Sequence, residues 1–177
     1  MRFGYFLFWC AFRAMFKVLF DCRIYHADRV PLSGPVLLAA NHTSFMDPPL
    51  IGSCLNRETH YLARNTLFRF PIFRNMLDYI NVIPVDRNGR SPKGLRAVTN
   101  SLKKNHSVIL FPEGTRSHDG KLQRAKSGVG LLAIKSEAPV VPIRVFGTFE
   151  SYGRHLKWPR PRRLHVKMGN PMWLNDL

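Results

Sequence analysis

Three features of this 177-residue chain predict an α/β fold, with a mostly parallel central sheet flanked by helices. Short apolar runs recur along the chain, the stretches between them have helical patterning, and turn formers mark the joins. The length suffices for one domain with a substantial core and argues against two. Hydrophobic residues make up 45% and charged residues 21%, a folded rather than a disordered composition.

The elements follow in order. Val36-Leu37-Leu38-Ala39-Ala40 is an unbroken apolar run, as a strand buried on both faces requires. Asp47-Pro48-Pro49 predicts a helix start, with Asp47 as the cap and proline in the first turn. Val82-Ile83-Pro84-Val85 predicts a strand that Pro84 confines to an edge or a bulge, because proline cannot donate to a ladder. Residues 92–104 form a helical stretch with Ser91 as its candidate cap. Further strands are expected at Val108-Ile109-Leu110-Phe111, residues 140–145 and residues 164–168, with a helix over 126–136.

The first 25 residues stand apart. Phe3 to Phe12 is apolar, yet this run is shorter than the ~20 residues a membrane span needs. At about 100° per residue, Arg2, Arg13 and Lys17 share one helical stripe, and Phe6 intrudes on it. No small-residue cleavage site follows, which argues against a signal peptide. The pattern predicts an amphipathic, membrane-associating helical segment over 1–25, against the alternative of a helix packed on a domain over 26–177.

Lys and Arg number 27 against 11 acidic residues, a formal net charge of +16 that favours a polyanionic partner. Between Gly153 and Lys167 lie six Lys or Arg and no acid, fitting either a solvated basic loop or an anion-binding surface. A nucleic-acid-binding protein is the alternative of a different class. It would interleave its basic residues with exposed stacking aromatics, whereas here the aromatics concentrate at the apolar N-terminus. Cys10, Cys22 and Cys54 have neither metal-site spacing nor an even count, as expected of free thiols in a reducing compartment.

Two segments carry chemistry. In Asn41-His42-Thr43-Ser44-Phe45-Met46-Asp47 an imidazole precedes a carboxylate by five residues. On a regular helix that offset separates the side chains, so they meet only if the chain turns between them. The carboxylate would then fix the tautomer, and the other ring nitrogen would take a proton from an attacking hydroxyl. On spacing alone, a surface-loop histidine beside a capping aspartate is the simpler reading. In Phe111-Pro112-Glu113-Gly114-Thr115-Arg116-Ser117, Gly114 lets the backbone approach a ligand and Arg116 offers a planar fork to phosphate oxygens. Glu113 could accept from an acceptor hydroxyl or hold Arg116 in place. A plain turn with a local ion pair fits equally well.

Together the segments resemble the glycerolipid acyltransferases typified by 1-acylglycerol-3-phosphate (lysophosphatidate) acyltransferase. Asn-His-x4-Asp is followed some seventy residues on by Phe-Pro-Glu-Gly-Thr-Arg-Ser. Val82-Ile83-Pro84-Val85-Asp86-Arg87 resembles the family's strand ending in arginine, and Val140-Val141-Pro142-Ile143 its Val-Pro-Ile/Val block. Lys126-Ser127-Gly128 also falls where members carry a lysine shortly before glycine.

The resemblance implies His42 as general base, Asp47 as its orienter, and direct attack on a thioester without an acyl-enzyme. It implies that Arg87, Glu113, Arg116 and Lys126 bind the acceptor's phosphate side, with Gly114, Thr115 and Ser117 in the same substrate-binding turn, which Thr115 and Ser117 also support. It implies no metal or cofactor. The substrates would be lysophosphatidate and acyl-CoA or acyl-acyl-carrier protein, at an anionic membrane surface on the cytoplasmic face. Another lysolipid is the same-class alternative. The departures are Asn81, where a glycine is common, and Ala125, where an aromatic residue often precedes the lysine.

Overall fold

The computed structural model describes residues 1–64, 77, 80–85 and 92–173. Arg87 and Ser91 lie outside the described residues. A seven-stranded sheet forms the middle layer. Its strands are β1 (Arg23–Tyr25), β2 (Val36–Ala40), β3 (Thr59–Arg64), β4 (Val82–Val85), β5 (Ser107–Leu110), β6 (Val140–Phe146) and β7 (His165–Met168). Their order across the sheet is β1-β7-β6-β2-β5-β3-β4. Among the described residues, every pairing of these strands is parallel except β6 with β7.

The apolar run at β2 reads as a central strand because both its faces are covered. Leu38 and Ala40 enter a core with Phe16, Phe20, Leu50 and Ile51, and Leu37 enters a second core with Val98, Leu102 and Leu132. The first core is built by helices α1 (Phe3–Phe20) and α2 (Asp47–Cys54). The second is built by α3 (Pro92–Lys103) and α4 (Ser127–Ser136). Pro84 lies in β4, an edge strand, as a residue without an N–H requires. The short strands β1 and β3 escaped the sequence pattern. Arg23-Ile24-Tyr25 is only three residues long, and Thr59 to Arg64 mixes polar and apolar residues.

Helix α1 is longer than its apolar run suggested. It continues through Arg13 and Lys17, and over 18 residues it is long and apolar enough, by length and composition, to cross a membrane. A ladder of Phe8, Phe12, Phe16 and Phe20 runs along it at four-residue intervals, with centroids 5.5–6.1 Å apart. It ends at Asp21, whose φ of 41° is left-handed. Its far side is bolted to the domain. Trp9 Nε1 donates to the Leu55 carbonyl at 2.7 Å, Arg13 to the Ser53 carbonyl at 3.1 Å, and the Thr59 N–H donates to the Tyr5 hydroxyl at 3.2 Å. Arg2 reaches Glu58 and Asn81. Arg2 and Arg13 therefore reach back to the body, and the outward face is mostly apolar, with Phe3 77% and Val18 78% exposed and Lys17 the exposed cation among them.

Asp47 is not the cap of α2 that the sequence suggested. Pro48 and Pro49 have no N–H to offer it, and the Leu50 N–H bonds the Met46 carbonyl instead. The carboxylate is thereby available to the loop before the helix.

Candidate active site

The two segments follow adjacent parallel strands, β2 and β5, so both loops emerge on the carboxyl rim of the sheet. That register brings residues 71 positions apart into contact. The loop after β2 closes around Asp47, which is completely buried. Its Oδ2 accepts the N–H groups of Thr43 and Ser44, each at 2.7 Å, and lies 2.9 Å from His42 Nδ1. An ionised carboxylate only accepts, so Nδ1 carries the hydrogen and the lone pair sits on Nε2. The five-residue offset thus becomes a contact because the chain turns at Thr43 and Ser44.

The imidazole is held from a second direction. Its ring stacks on Phe111, the residue that follows β5, with centroids 4.0 Å apart and planes 19° apart. The peptide of His42 is gripped at both ends by the other segment. Its N–H donates to Glu113 Oε1 at 3.2 Å, and its carbonyl accepts the Ser117 N–H at 2.7 Å. Glu113 is therefore an anchor of the His42 loop, a role outside the two that sequence reasoning offered. Burial, opposed by the hydrogen bond from His42, raises its carboxyl above the ordinary glutamate value.

Gly114 adopts a φ of +69°. A Cβ there would come within 2.7 Å of the Lys126 Cε and Nζ atoms, so the bare glycine makes room for that side chain. The Lys126 N–H also donates to the Pro112 carbonyl at 2.9 Å, which ties the start of α4 to the turn. Arg116 lies over the ring of Phe45, its guanidinium carbon 3.3 Å from the centroid. Ser117 is fully buried and its hydroxyl donates to Asp119 at 3.0 Å. His42, Asp47, Glu113, Gly114, Arg116, Ser117 and Lys126 are thus assembled at one rim. Thr115 lies in the same turn and accepts from Arg154 at 2.6 Å.

Several supporting residues had no role legible in the sequence. Asn41 pins the end of β2 to β6, donating to the Val145 carbonyl at 3.1 Å and accepting its N–H at 2.7 Å. Thr43 meets Thr148 at 2.8 Å, and the Ser44 hydroxyl donates to the Tyr152 carbonyl at 2.7 Å. Both partners belong to a short helix, α5 (Thr148–Tyr152), more than a hundred residues away. An apolar cavity of about 280 Å³ opens beside the loop, lined by Phe8, Phe12, Phe45, Pro49, Tyr61 and Leu62 among others. Gly52 forms its floor against Tyr61, whose hydroxyl would be 1.7 Å from a Cβ at that position.

Asn81, the departure from glycine, has a φ of 60°. Asparagine tolerates this left-handed conformation better than other side chains do. Its amide also donates to Glu58 at 3.1 Å, so the substitution keeps the turn and adds a bond.

The chain resembles known proteins at each level of comparison. It is 31% identical over 139 residues to the 1-acyl-sn-glycerol-3-phosphate acyltransferase of Cocos nucifera, covering 77% of this chain and 45% of that protein. It is 28% identical over 156 residues to the protein of that name from Bacillus subtilis, covering 87% of this chain and 75% of that one. The chain therefore spans less than half the length of the first and three quarters of the second. The crystal structure of PlsC, the 1-acyl-sn-glycerophosphate (LPA) acyltransferase of Thermotoga maritima, superposes with a TM-score of 0.85 at 26% identity. That match covers 96% of this chain and 68% of the other. With the Acyltransferase family model matching residues 21–146, this chain belongs to the acyltransferase family.

Proposed function

We propose that the chain moves a fatty acyl group from a thioester donor to the free hydroxyl of 1-acyl-glycerol-3-phosphate, giving phosphatidate. The observation that carries this reading is the contact of His42 Nδ1 with a fully buried Asp47 at 2.9 Å, beside the turn that carries Arg116 and packs against Lys126. The acceptor oxygen attacks the thioester carbonyl carbon as its proton passes to His42 Nε2. Asp47 stabilises the imidazolium that forms. Collapse of the tetrahedral species breaks the carbon–sulfur bond, and the leaving thiolate takes the proton back from Nε2. No covalent acyl-enzyme and no metal enter the sequence of steps.

Arg116 and Lys126 would hold the acceptor phosphate, with Arg87 as a third cation, and Glu113 would keep the His42 peptide in register with them. The cavity beside Phe45 suits a fatty chain, because its walls are apolar and it opens next to the base. Acyl-CoA or acyl-acyl-carrier protein would be the donor. The outward face of α1 would rest in the cytoplasmic surface of a membrane, where a lysolipid acceptor resides. The names borne by the relatives support this choice of acceptor over another lysolipid.

The test is transfer of a labelled acyl group by the purified protein, with lysophosphatidate and other lysolipids offered alongside both donors. His42→Ala should lower turnover by about 10²–10⁴-fold or more while the fold persists. Undiminished turnover in that variant would sink the mechanism. Equal use of phosphate-free acceptors would sink the acceptor assignment.

A further inference from the structure

The basic segment after α5 runs from the turn beside His42 to the last turn of α1. At its start, Arg154 donates to Thr115 at 2.6 Å, in the turn beside His42. At its end, Arg163 pairs with Asp21 at 2.5 Å and the Leu164 N–H bonds the Phe20 carbonyl at 3.1 Å, at the last turn of α1. A strap thus joins the mouth of the site to the helix with the apolar outer face.

Its middle is built to face outward. Lys157, Trp158, Arg160 and Arg162 are all exposed, and Trp158 is 79% exposed. The backbone there is held in place. The Arg160 N–H donates to the Ser151 carbonyl at 2.8 Å, and the Ser151 hydroxyl donates to the Arg160 carbonyl at 2.7 Å. Pro159 and Pro161 stiffen it further. A framed indole among cations, with no acid from Gly153 to Lys167, matches the chemistry of a headgroup layer. Indoles settle at that depth and lysines and arginines meet lipid phosphates. The strap ends on Phe20 and Asp21, next in the chain to the exposed Val18 and Leu19.

We propose that residues 154–163 form a second membrane contact, specific for anionic lipid. The outer face of α1 supplies the apolar contact, and the strap supplies the charged one. Together they hold the Thr115 end of the site against the bilayer, so that a lysolipid reaches His42 from the membrane. The proposal rests on the reading that α1 lies in a membrane surface.

The test uses the full chain with vesicles of phosphatidylcholine alone and with phosphatidylglycerol added. The variant is Lys157→Ala/Arg160→Ala/Arg162→Ala, whose side chains have no hydrogen bond or ion pair among the described residues. It should lose about tenfold or more in affinity for the anionic vesicles and nothing for the neutral ones. The emission difference between the native chain and Trp158→Phe should be quenched by brominated lipid. Equal anionic affinity in the triple variant, or an unquenched Trp158, overturns the proposal. So does a triple variant that keeps its vesicle affinity and loses only an acidic acyl carrier protein, which would make the strap a protein dock. Failure of the native chain to bind neutral vesicles would count against α1 alone. The anionic increment reads the strap separately, and neither readout requires turnover.

Discussion

His42 shows how little of a site one residue's identity contains. Its proposed work depends on Asp47, which fixes Nδ1, on Phe111, which backs the ring, and on Glu113 and Ser117, which clamp its peptide. Asp47→Asn keeps an oxygen for the Thr43 and Ser44 N–H groups but removes the charge that supports the imidazolium. Turnover should fall by about 10²-fold or more with little change in acceptor KM, as steady-state kinetics would show. A change in KM alone would contradict the orienting role. For Glu113 the sign runs opposite to that of an ordinary ion-paired carboxylate. Burial raises its folded pKa above 4.5, so the folded state holds the proton more tightly, and stability falls as pH rises through the raised value. Glu113→Gln keeps an acceptor for the His42 N–H and abolishes the ionisation. Urea unfolding should therefore find the variant gaining on the native chain as pH rises from 4.5 through the raised value. A pH-independent difference would contradict the assignment.

At the scale of elements, α1 belongs both to the core and to the proposed membrane contact. Phe16 and Phe20 lie in the first core, so deleting the helix would disrupt the fold as well as membrane binding. Phe16→Ala should cost about 3–5 kcal/mol in denaturant unfolding. Leu7→Glu with Val18→Glu changes only the exposed face, and should weaken vesicle binding while leaving the unfolding midpoint nearly unchanged. Unchanged vesicle binding would move the contact elsewhere. Where α2 meets β3, Gly52 allows the close approach of Tyr61. Gly52→Ala should destabilise by about 1–3 kcal/mol, because Tyr61 is packed against the first core and hydrogen-bonded to Tyr5 at 3.3 Å and cannot yield easily.

At the scale of the molecule, the sheet separates a chemical rim from a structural one. The opposite rim holds His60 stacked on His106, with centroids 4.2 Å apart. Burial, reinforced by His106 and Arg2 and opposed by Glu58, lowers the His60 pKa from 6.5 to about 4. The neutral ring is the one the fold accepts. This contribution to stability is complete above pH 6.5 and is lost as pH falls towards 4. His60→Phe should flatten the melting temperature across that interval, and an unchanged acid slope would place the destabilisation elsewhere. The unbroken apolar runs made the central strands legible, because a strand covered on both faces has no polar side to alternate with. The edge position of Pro84 was legible for want of an N–H. The short strand β1, the Asn41 clasp and the anchoring of α5 were not, because they depend on partners distant in the chain and leave no periodicity. The α/β class and the two chemical segments could be read from the chain alone, because residue type, local spacing and apolar runs are properties of neighbouring positions. That Asp47 turns back on its loop, that Glu113 grips His42, and that Arg13 of α1 reaches back to the domain became visible only in the folded chain. Each of these depends on which strands pair side by side, and β2 beside β5 is a contact between distant parts of the chain.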